Sequence, residues 1–422
     1  MAPASSPGLR MRSRYTRSDP KGLFPRLTGL PELPHNRLGA FWRPIIDMTD
    51  SDLASSRLRM IRPVASWLAD PASAEPLWFA RINVAGLRHQ VIRHSGLNAY
   101  DCQEPKDLAE ELRTPEWETL VRAIDGFEDL DYYVRTIVLF QLAQLSYCEL
   151  GVRLAGDVEP DGDPVRDRYV YQVARLHARL PGSRPLALRL FERLATSSKD
   201  SLLALLSCFQ GISHAIRKED DLDLACRFER YGHAITGLPG DWHTYLVKSR
   251  FHRALALLRL NERRFGEMRD ELETALDLHE RLRPEVSGEI DTMVANENRR
   301  ILLESQINAA IRARGDESAT QVRALCEEII GLDPYCVLVR LAVGDGHAAI
   351  GDHAEAARWF ERAGELGTGA GAIGWFRAGQ CHDFLGDRGA AVNAYGRCLE
   401  LDATAVEPRE YLTTGRRPGD PA

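Results

Sequence analysis

The chain has 422 residues, which is too many for one small hydrophobic core. This length predicts roughly two to three domains. Hydrophobic residues make up 44 % and charged residues 27 %, which is ordinary for a globular protein. The formal net charge of −7 gives no whole-chain reason to expect nucleic acid. No stretch reaches the length of a membrane span and no secretory signal opens the chain, so we expect a cytoplasmic protein.

Cysteine and histidine spacing argues against metal and cofactor chemistry. The eight cysteines form no C-x-x-C pair, so we predict small, reduced and mostly buried side chains. The histidines are scattered, and no known catalytic motif is present. The prediction is therefore no cofactor, no metal and no assigned catalytic residue. Arginine far outnumbers lysine, which indicates a GC-rich bacterial genome.

Residues 1–49 differ in composition from the rest of the chain. They are basic and rich in proline. Because prolines interrupt both helices and strands, no regular helical or strand pattern is found here, and we predict a flexible arm. Residues 50–180 are predicted to form a helical N-terminal domain without strands. Its predicted helices cover about 50–68, 76–95, 105–123, 131–154 and 165–179.

The segment 99–131 is acidic. The basic arm could lie on it. The alternative is an acidic face in contact with solvent. Separately, the arm could make weak contact with nucleic acid, although nucleic acid is not an expected partner.

Residues 181–410 are predicted to form a second, repetitive helical domain, followed by a disordered tail at 411–422. The helices come in pairs joined by short polar turns. The expected helices lie at about 184–197, 201–216, 222–235, 242–260, 265–282 and 286–314.

The dipeptide Gly-Asp recurs at 315–316, 351–352 and 386–387, at spacings of 36 and 35 residues. Such a period predicts a stacked repeat. Glycine suits the left-handed residue that ends a helix, and aspartate can cap the start of the next one.

The residues around these turns resemble the tetratricopeptide repeat, over about 300–403. The matching residues of the last copy are Trp375, Ala378, Gly379, His382, Gly386, Ala391, Tyr395 and Cys398. Those of the preceding copy are Gly344, His347, Gly351, Ala356, Phe360 and Ala363. The resemblance implies an all-α fold, in which antiparallel helical hairpins stack as an α-solenoid. Two clear repeats do not bury a continuous core, so we expect the upstream hairpins to continue the stack.

In this family the first helix of each hairpin lines a groove that receives a peptide. The resemblance implies the groove residues Leu338, Leu341, Asp345, Ile373, Phe376, Gln380, Asp383 and Phe384. Lysine, asparagine and arginine are absent from these positions, which argues against a clamp for a terminal carboxylate. An apolar ligand, such as a helix or a second copy of this chain, fits better. Alternatively, Phe376 and Phe384 pack on the next helix.

Two short patterns imitate ligand sites. The acidic run 219–223 is similar to a metal-binding motif of helical cyclases, but we interpret it as a turn with capping acids. The spacing of Gly369, Gly371 and Gly374 imitates a dinucleotide-binding loop, yet no strand precedes it, so we expect a flexible turn between repeats.

The leading functional hypothesis is an adaptor or scaffold that binds a partner protein or peptide and does no chemistry of its own. A peptide-sensing regulator is the first alternative. The second is an enzyme, or a subunit of one, with its site in the N-terminal helical domain.

Overall fold

The computed structural model describes residues 104–107, 115–144, 147–286, 289–313, 316–332, 337–365, 369–403 and 405–416. The predictions of a basic arm at 1–49 and of helices at 50–68 and 76–95 lie outside these residues, as does any docking of the arm.

The described residues form sixteen α-helices and contain no strand. These are α1 (Pro115–Asp125), α2 (Tyr132–Gln144), α3 (Cys148–Ala155), α4 (Pro164–Arg179), α5 (Arg184–Ser197), α6 (Ser201–His214), α7 (Leu222–Ala234), α8 (Trp242–Asn261), α9 (Phe265–Leu282), α10 (Glu289–Ala313), α11 (Asp316–Leu332), α12 (Val337–Ala349), α13 (His353–Glu365), α14 (Gly369–Phe384), α15 (Arg388–Leu401) and α16 (Val406–Thr414). None of these helices is both long and apolar enough to cross a membrane.

One predicted helix needs correction. The helix predicted over 131–154 is two helices, α2 and α3, because the backbone N–H of the buried Tyr147 donates to the carbonyl of Leu142. Of the helix predicted over 105–123, the structure describes a short 3₁₀ turn at Pro105–Asp107 and α1 from Pro115 onward.

The described residues fall into two compact units, 104–305 and 306–416. The boundary predicted at residue 180 lies inside the first unit, because α4 and α5 on either side of it pack against each other and α5 packs against α6. The most extensive helix contacts in both units join neighbours in the chain, such as α8–α9 and α13–α14, whereas α2 packs mainly on α4 and α8 also packs on α6. The fold class is therefore the predicted one, an all-α array of stacked antiparallel hairpins of tetratricopeptide-like form.

A glycine of the first helix faces an aromatic ring of the second helix in several hairpins. A Cβ on Gly344 would lie 2.5 Å from the ring of Phe360, and one on Gly379 would lie 2.6 Å from the ring of Tyr395. In the first unit a Cβ on Gly211 would lie 2.5 Å from the ring of Phe228. The hairpin α6–α7 therefore repeats the contact of the two clear copies, as expected of a degenerate repeat.

The hairpin turns share a residue in the left-handed region. Gly351 and Gly386 have φ of 85° and 83°, and the turns of α6–α7 and α8–α9 place Asp220 and Arg263 there, at 55° and 62°. L-residues with side chains rarely adopt this conformation.

The turn of α8–α9 repeats the hydrogen bond of the two glycine turns, because the N–H of Arg264, like those of Asp352 and Asp387, donates to the carbonyl five residues before it. In α6–α7 the N–H of Asp221 reaches six residues back, to Ala215.

The acidic run 219–223 is a capped turn, as interpreted from the sequence. A π-helical segment, Ala215–Glu219, extends α6, and Asp220 follows as the left-handed residue. The side chain of Asp221 accepts a hydrogen bond from the backbone N–H of Leu224 at 2.9 Å and so caps α7.

The glycines of 369–374 are not a flexible turn. All three lie in α14. A Cβ on Gly374 would lie 2.6 Å from the carbonyl oxygen of Phe360 and 2.7 Å from the nitrogen of Gly364. The small residue is needed because the backbones of α13 and α14 approach closely at this point.

The described cysteines are all free, and all but Cys226 are buried. Burial raises the pKa of Cys208, Cys326 and Cys381 to about 12. These thiols are therefore protonated at neutral pH and behave as small apolar side chains.

Candidate ligand groove on α12 and α14

The groove residues implied by the sequence lie on α12 and α14, the first helices of the last two hairpins. These helices pack on each other and on α13, which joins them. The side chains opposite α13 are the ones a partner could reach.

Half of the implied residues are accessible. Leu338, in the first turn of α12, is 37 % exposed, and Phe384, the last residue of α14, is 42 % exposed. Ile373 is the fifth residue of α14 and is partly buried. Asp345 completes the accessible set. Leu338 and Ile373 are separated by about one repeat period, so they occupy equivalent positions in the two hairpins, and Phe384 ends the row.

An ion pair joins the two helices between these apolar ends. A guanidinium nitrogen of Arg377 on α14 lies 2.8 Å from a carboxylate oxygen of Asp345 on α12. The same guanidinium lies 5.8 Å from the centre of the Phe360 ring. This pair fixes α12 against α14 and places charge in the middle of an otherwise apolar surface.

The other half of the implied residues is buried. Leu341, Gln380 and Asp383 are less than 9 % exposed, and Phe376 is 1 % exposed. Phe376 belongs to the core cluster of this unit, with its ring centre 6.0 Å from that of Tyr395. These four side chains pack inside the protein, as the alternative interpretation of Phe376 anticipated.

One of these four side chains, Asp383, is held by α16, which the sequence did not predict. Tyr411 of α16 is buried, its ring centre lies 4.6 Å from that of Tyr395, and its hydroxyl donates to Asp383 at 3.1 Å. The prediction of a disordered tail from residue 411 is wrong for residues 411–414, which are helical. Residues 417–422 lie outside the described part.

A sequence signal for α16 existed. Ala405, Pro408 and Tyr411 are spaced three residues apart and are all buried. Pro408 lies in the first turn of α16, where proline is tolerated. The resemblance to the repeat ends at about residue 403, so this short period falls outside it.

Histidine takes part in the contacts at the accessible end of α14. The ring of Phe384 lies 4.1 Å from that of His353, and burial lowers the pKa of His353. His382, which stands where the repeat usually has an aromatic residue, places Nε2 2.7 Å from a carboxylate oxygen of Glu361. This hydrogen bond replaces an aromatic contact between α13 and α14.

Among the described residues, no group of three histidine, cysteine or acidic side chains is arranged to hold a metal ion. The accessible surface offers apolar contact and one internal ion pair. Such a surface suits binding by shape and hydrophobic burial.

Comparison with known proteins adds little. No family model matches the chain, and no curated protein matches its sequence. The crystal structure of the APC/C hetero-tetramer Cut9–Hcn1 matches with a TM-score of 0.31 and 15 % sequence identity, over 90 % of this chain and 71 % of that chain. The fold class therefore rests on the helices and contacts of the chain itself.

Proposed function

We propose that residues 306–416 act as a polypeptide-binding module, in which α12 and α14 hold a segment of a partner protein. Leu338, Ile373 and Phe384 supply the apolar contacts, and the Asp345–Arg377 pair offers polar contacts between them. The whole chain would then serve as an adaptor or scaffold.

One observation carries this proposal: large apolar side chains remain exposed on the first helices of a stack whose interior is already filled. Phe376, Tyr395 and Tyr411 complete the core without Leu338 or Phe384. Burial of a leucine or phenylalanine side chain contributes roughly 1.5–3 kcal/mol, so a partner that covers both would gain appreciable affinity.

Site-specific photo-crosslinking in cells tests the proposal. A photoreactive phenylalanine analogue at position 338 should form a crosslink with a defined partner protein, which mass spectrometry identifies. Leu338→Glu together with Phe384→Glu should abolish capture of that partner by the full chain. A peptide-sensing regulator would use the same surface, and the identity of the captured partner distinguishes it from a scaffold.

Position 392 provides the matched control. Val392 is 44 % exposed and lies on α15, a second helix. The analogue at position 392 should give no crosslink to that partner, and Val392→Glu should leave capture intact. Equal crosslinking at 338 and 392, or capture that survives the double substitution, would contradict the proposal.

A further inference from the structure

Arg175 of α4, in the unit 104–305, is held in an unusual setting for a charged side chain. Its guanidinium lies 5.8 Å from the ring centre of Phe140 and 6.0 Å from that of Tyr171. One of its nitrogens donates to the Oε1 atom of Gln172 at 3.0 Å. Within the described part of the chain no carboxylate forms a salt bridge with it, and it is partly exposed. A guanidinium has five N–H donors, so most of this fork is available to a ligand.

Gln172 beside it is 1 % exposed, and its Nε2 amide has no hydrogen-bond acceptor among the described residues. Buried amide donors are nearly always satisfied, because leaving one unpaired costs roughly 1–3 kcal/mol. The Oε1 atom of the same side chain is fixed by Arg175. The orphaned donor therefore indicates that an acceptor is missing next to the guanidinium.

A second positive charge lies nearby. Arg250 of α8 is buried, and the positive charge of Arg175 and the carboxylate of Glu297 both act on it. Desolvation lowers the pKa of both guanidinium groups to about 10, so both stay protonated at neutral pH. Arg175 therefore keeps the positive charge that attracts an anion.

We propose that Arg175 and Gln172 form a binding site for an oxyanion, either a carboxylate or a phosphate group. The fork of Arg175 binds such a group through two parallel hydrogen bonds, and the Nε2 amide of Gln172 donates a third. No residue of this site belongs to the surface on α12 and α14, so this site does not depend on the function proposed there.

The test uses the full chain and two probes. Inorganic pyrophosphate is titrated calorimetrically, and a fluorescein-labelled, glutamate-rich peptide is followed by anisotropy. At least one probe should bind, and Arg175→Gln should weaken that binding by about tenfold or more, as expected for lost charge-assisted hydrogen bonds. Binding of the peptide alone identifies a polypeptide as the source of the anion, whereas binding of pyrophosphate alone identifies a free phosphate compound.

Arg189→Gln is the matched control, because it removes the same charge from the exposed side of α5. It should leave binding unchanged. Arg175→Lys and Gln172→Met keep the charge and the volume, respectively, and remove only hydrogen-bonding groups, so both should weaken binding severalfold without unfolding the chain. The site is disproved if neither probe binds, if Arg189→Gln has the same effect as Arg175→Gln, or if Arg175→Lys and Gln172→Met both bind normally.

Discussion

The contact between Gly379 and the ring of Tyr395 sets the distance between α14 and α15. The equivalent pair in the preceding hairpin is Gly344 and Phe360, and the pair in α6–α7 is Gly211 and Phe228. A methyl group in any of these places overlaps an aromatic carbon, so the ring or the helix must move.

We expect Gly379→Ala to lower the free energy of unfolding by about 1–3 kcal/mol, the usual cost of overpacking a core. Gly396→Ala is the control, because Gly396 lies inside α15 with open space around its Cβ position. Alanine at 396 should raise stability by roughly 0.5–1 kcal/mol through helix propensity. Thermal melts and urea denaturation measure both changes. Equal stability of the two variants would show that the glycine–aromatic contact is not tight.

His279 gives the first unit a defined pH response. It is 2 % exposed, its Nδ1 atom lies 3.4 Å from the Nδ2 atom of Asn298, and burial lowers its pKa to about 4. Glu280 opposes this shift, whereas Arg299 and Arg283 add to it. The folded state therefore prefers the neutral ring.

Between about pH 6.5 and pH 4 the unfolded chain carries a proton on this histidine that the folded chain does not. Stability from His279 is thus fully present above the unfolded pKa and is lost as the pH falls towards 4, by up to about 1.4 kcal/mol per pH unit. In His279→Gln this part of the pH dependence should disappear. The measurement is the difference in unfolding free energy between the two proteins at pH 7.5 and pH 5. An unchanged difference at the two values would show that His279 is accessible to protons in the folded state.

Among the elements, α16 is the one that binds a predicted groove residue. Its Tyr411 places a ring against Tyr395 and a hydroxyl on the buried Asp383. Asp383 is thereby held inside the unit and is not available to a ligand.

We expect Tyr411→Phe to destabilise the unit by about 1–2 kcal/mol, because the Asp383 carboxylate loses a donor. Tyr411→Ala should cost about 3–5 kcal/mol, since the ring is lost as well. Leu412→Ala is the control, because Leu412 of the same helix is largely exposed and should change stability by less than about 1 kcal/mol. Hydrogen exchange of α14 and α15 reports the effect locally. Protection of α14 that is unchanged in Tyr411→Ala would rule out this role.

The helices were predictable where their ends are marked in the sequence. Asp163, Asp200, Asp221 and Asp241 each cap a helix through side-chain hydrogen bonds, and aspartate before an apolar period is the expected signal. The break near Tyr147 has no such mark, because it depends on a single backbone hydrogen bond in an apolar run. The groove residues could be assigned to the first helices, but their burial could not be predicted. Phe376 packs on Tyr395, and Asp383 is bound by α16, which the repeat pattern does not contain.

At the scale of the whole molecule, the repeat extends beyond the part in which the sequence shows it clearly. The copies at 338–398 carry glycine at the left-handed turn position, and this glycine makes them recognisable in the sequence. The hairpins α6–α7 and α8–α9 place Asp220 and Arg263 in the left-handed region instead. The glycine that makes such a turn recognisable is absent there, so the Gly-Asp period of the sequence reveals only the later copies.

The stacking of each hairpin on its neighbours also determines how this chain should fold. The pairs Gly344–Phe360 and Gly379–Tyr395 are 16 residues apart in sequence, and Gly211–Phe228 are 17 apart. Closing such short loops takes little entropy, and proteins dominated by local contacts fold quickly. A hairpin can therefore assemble as soon as its second helix has been synthesised, and each finished hairpin then offers a surface on which the next one forms.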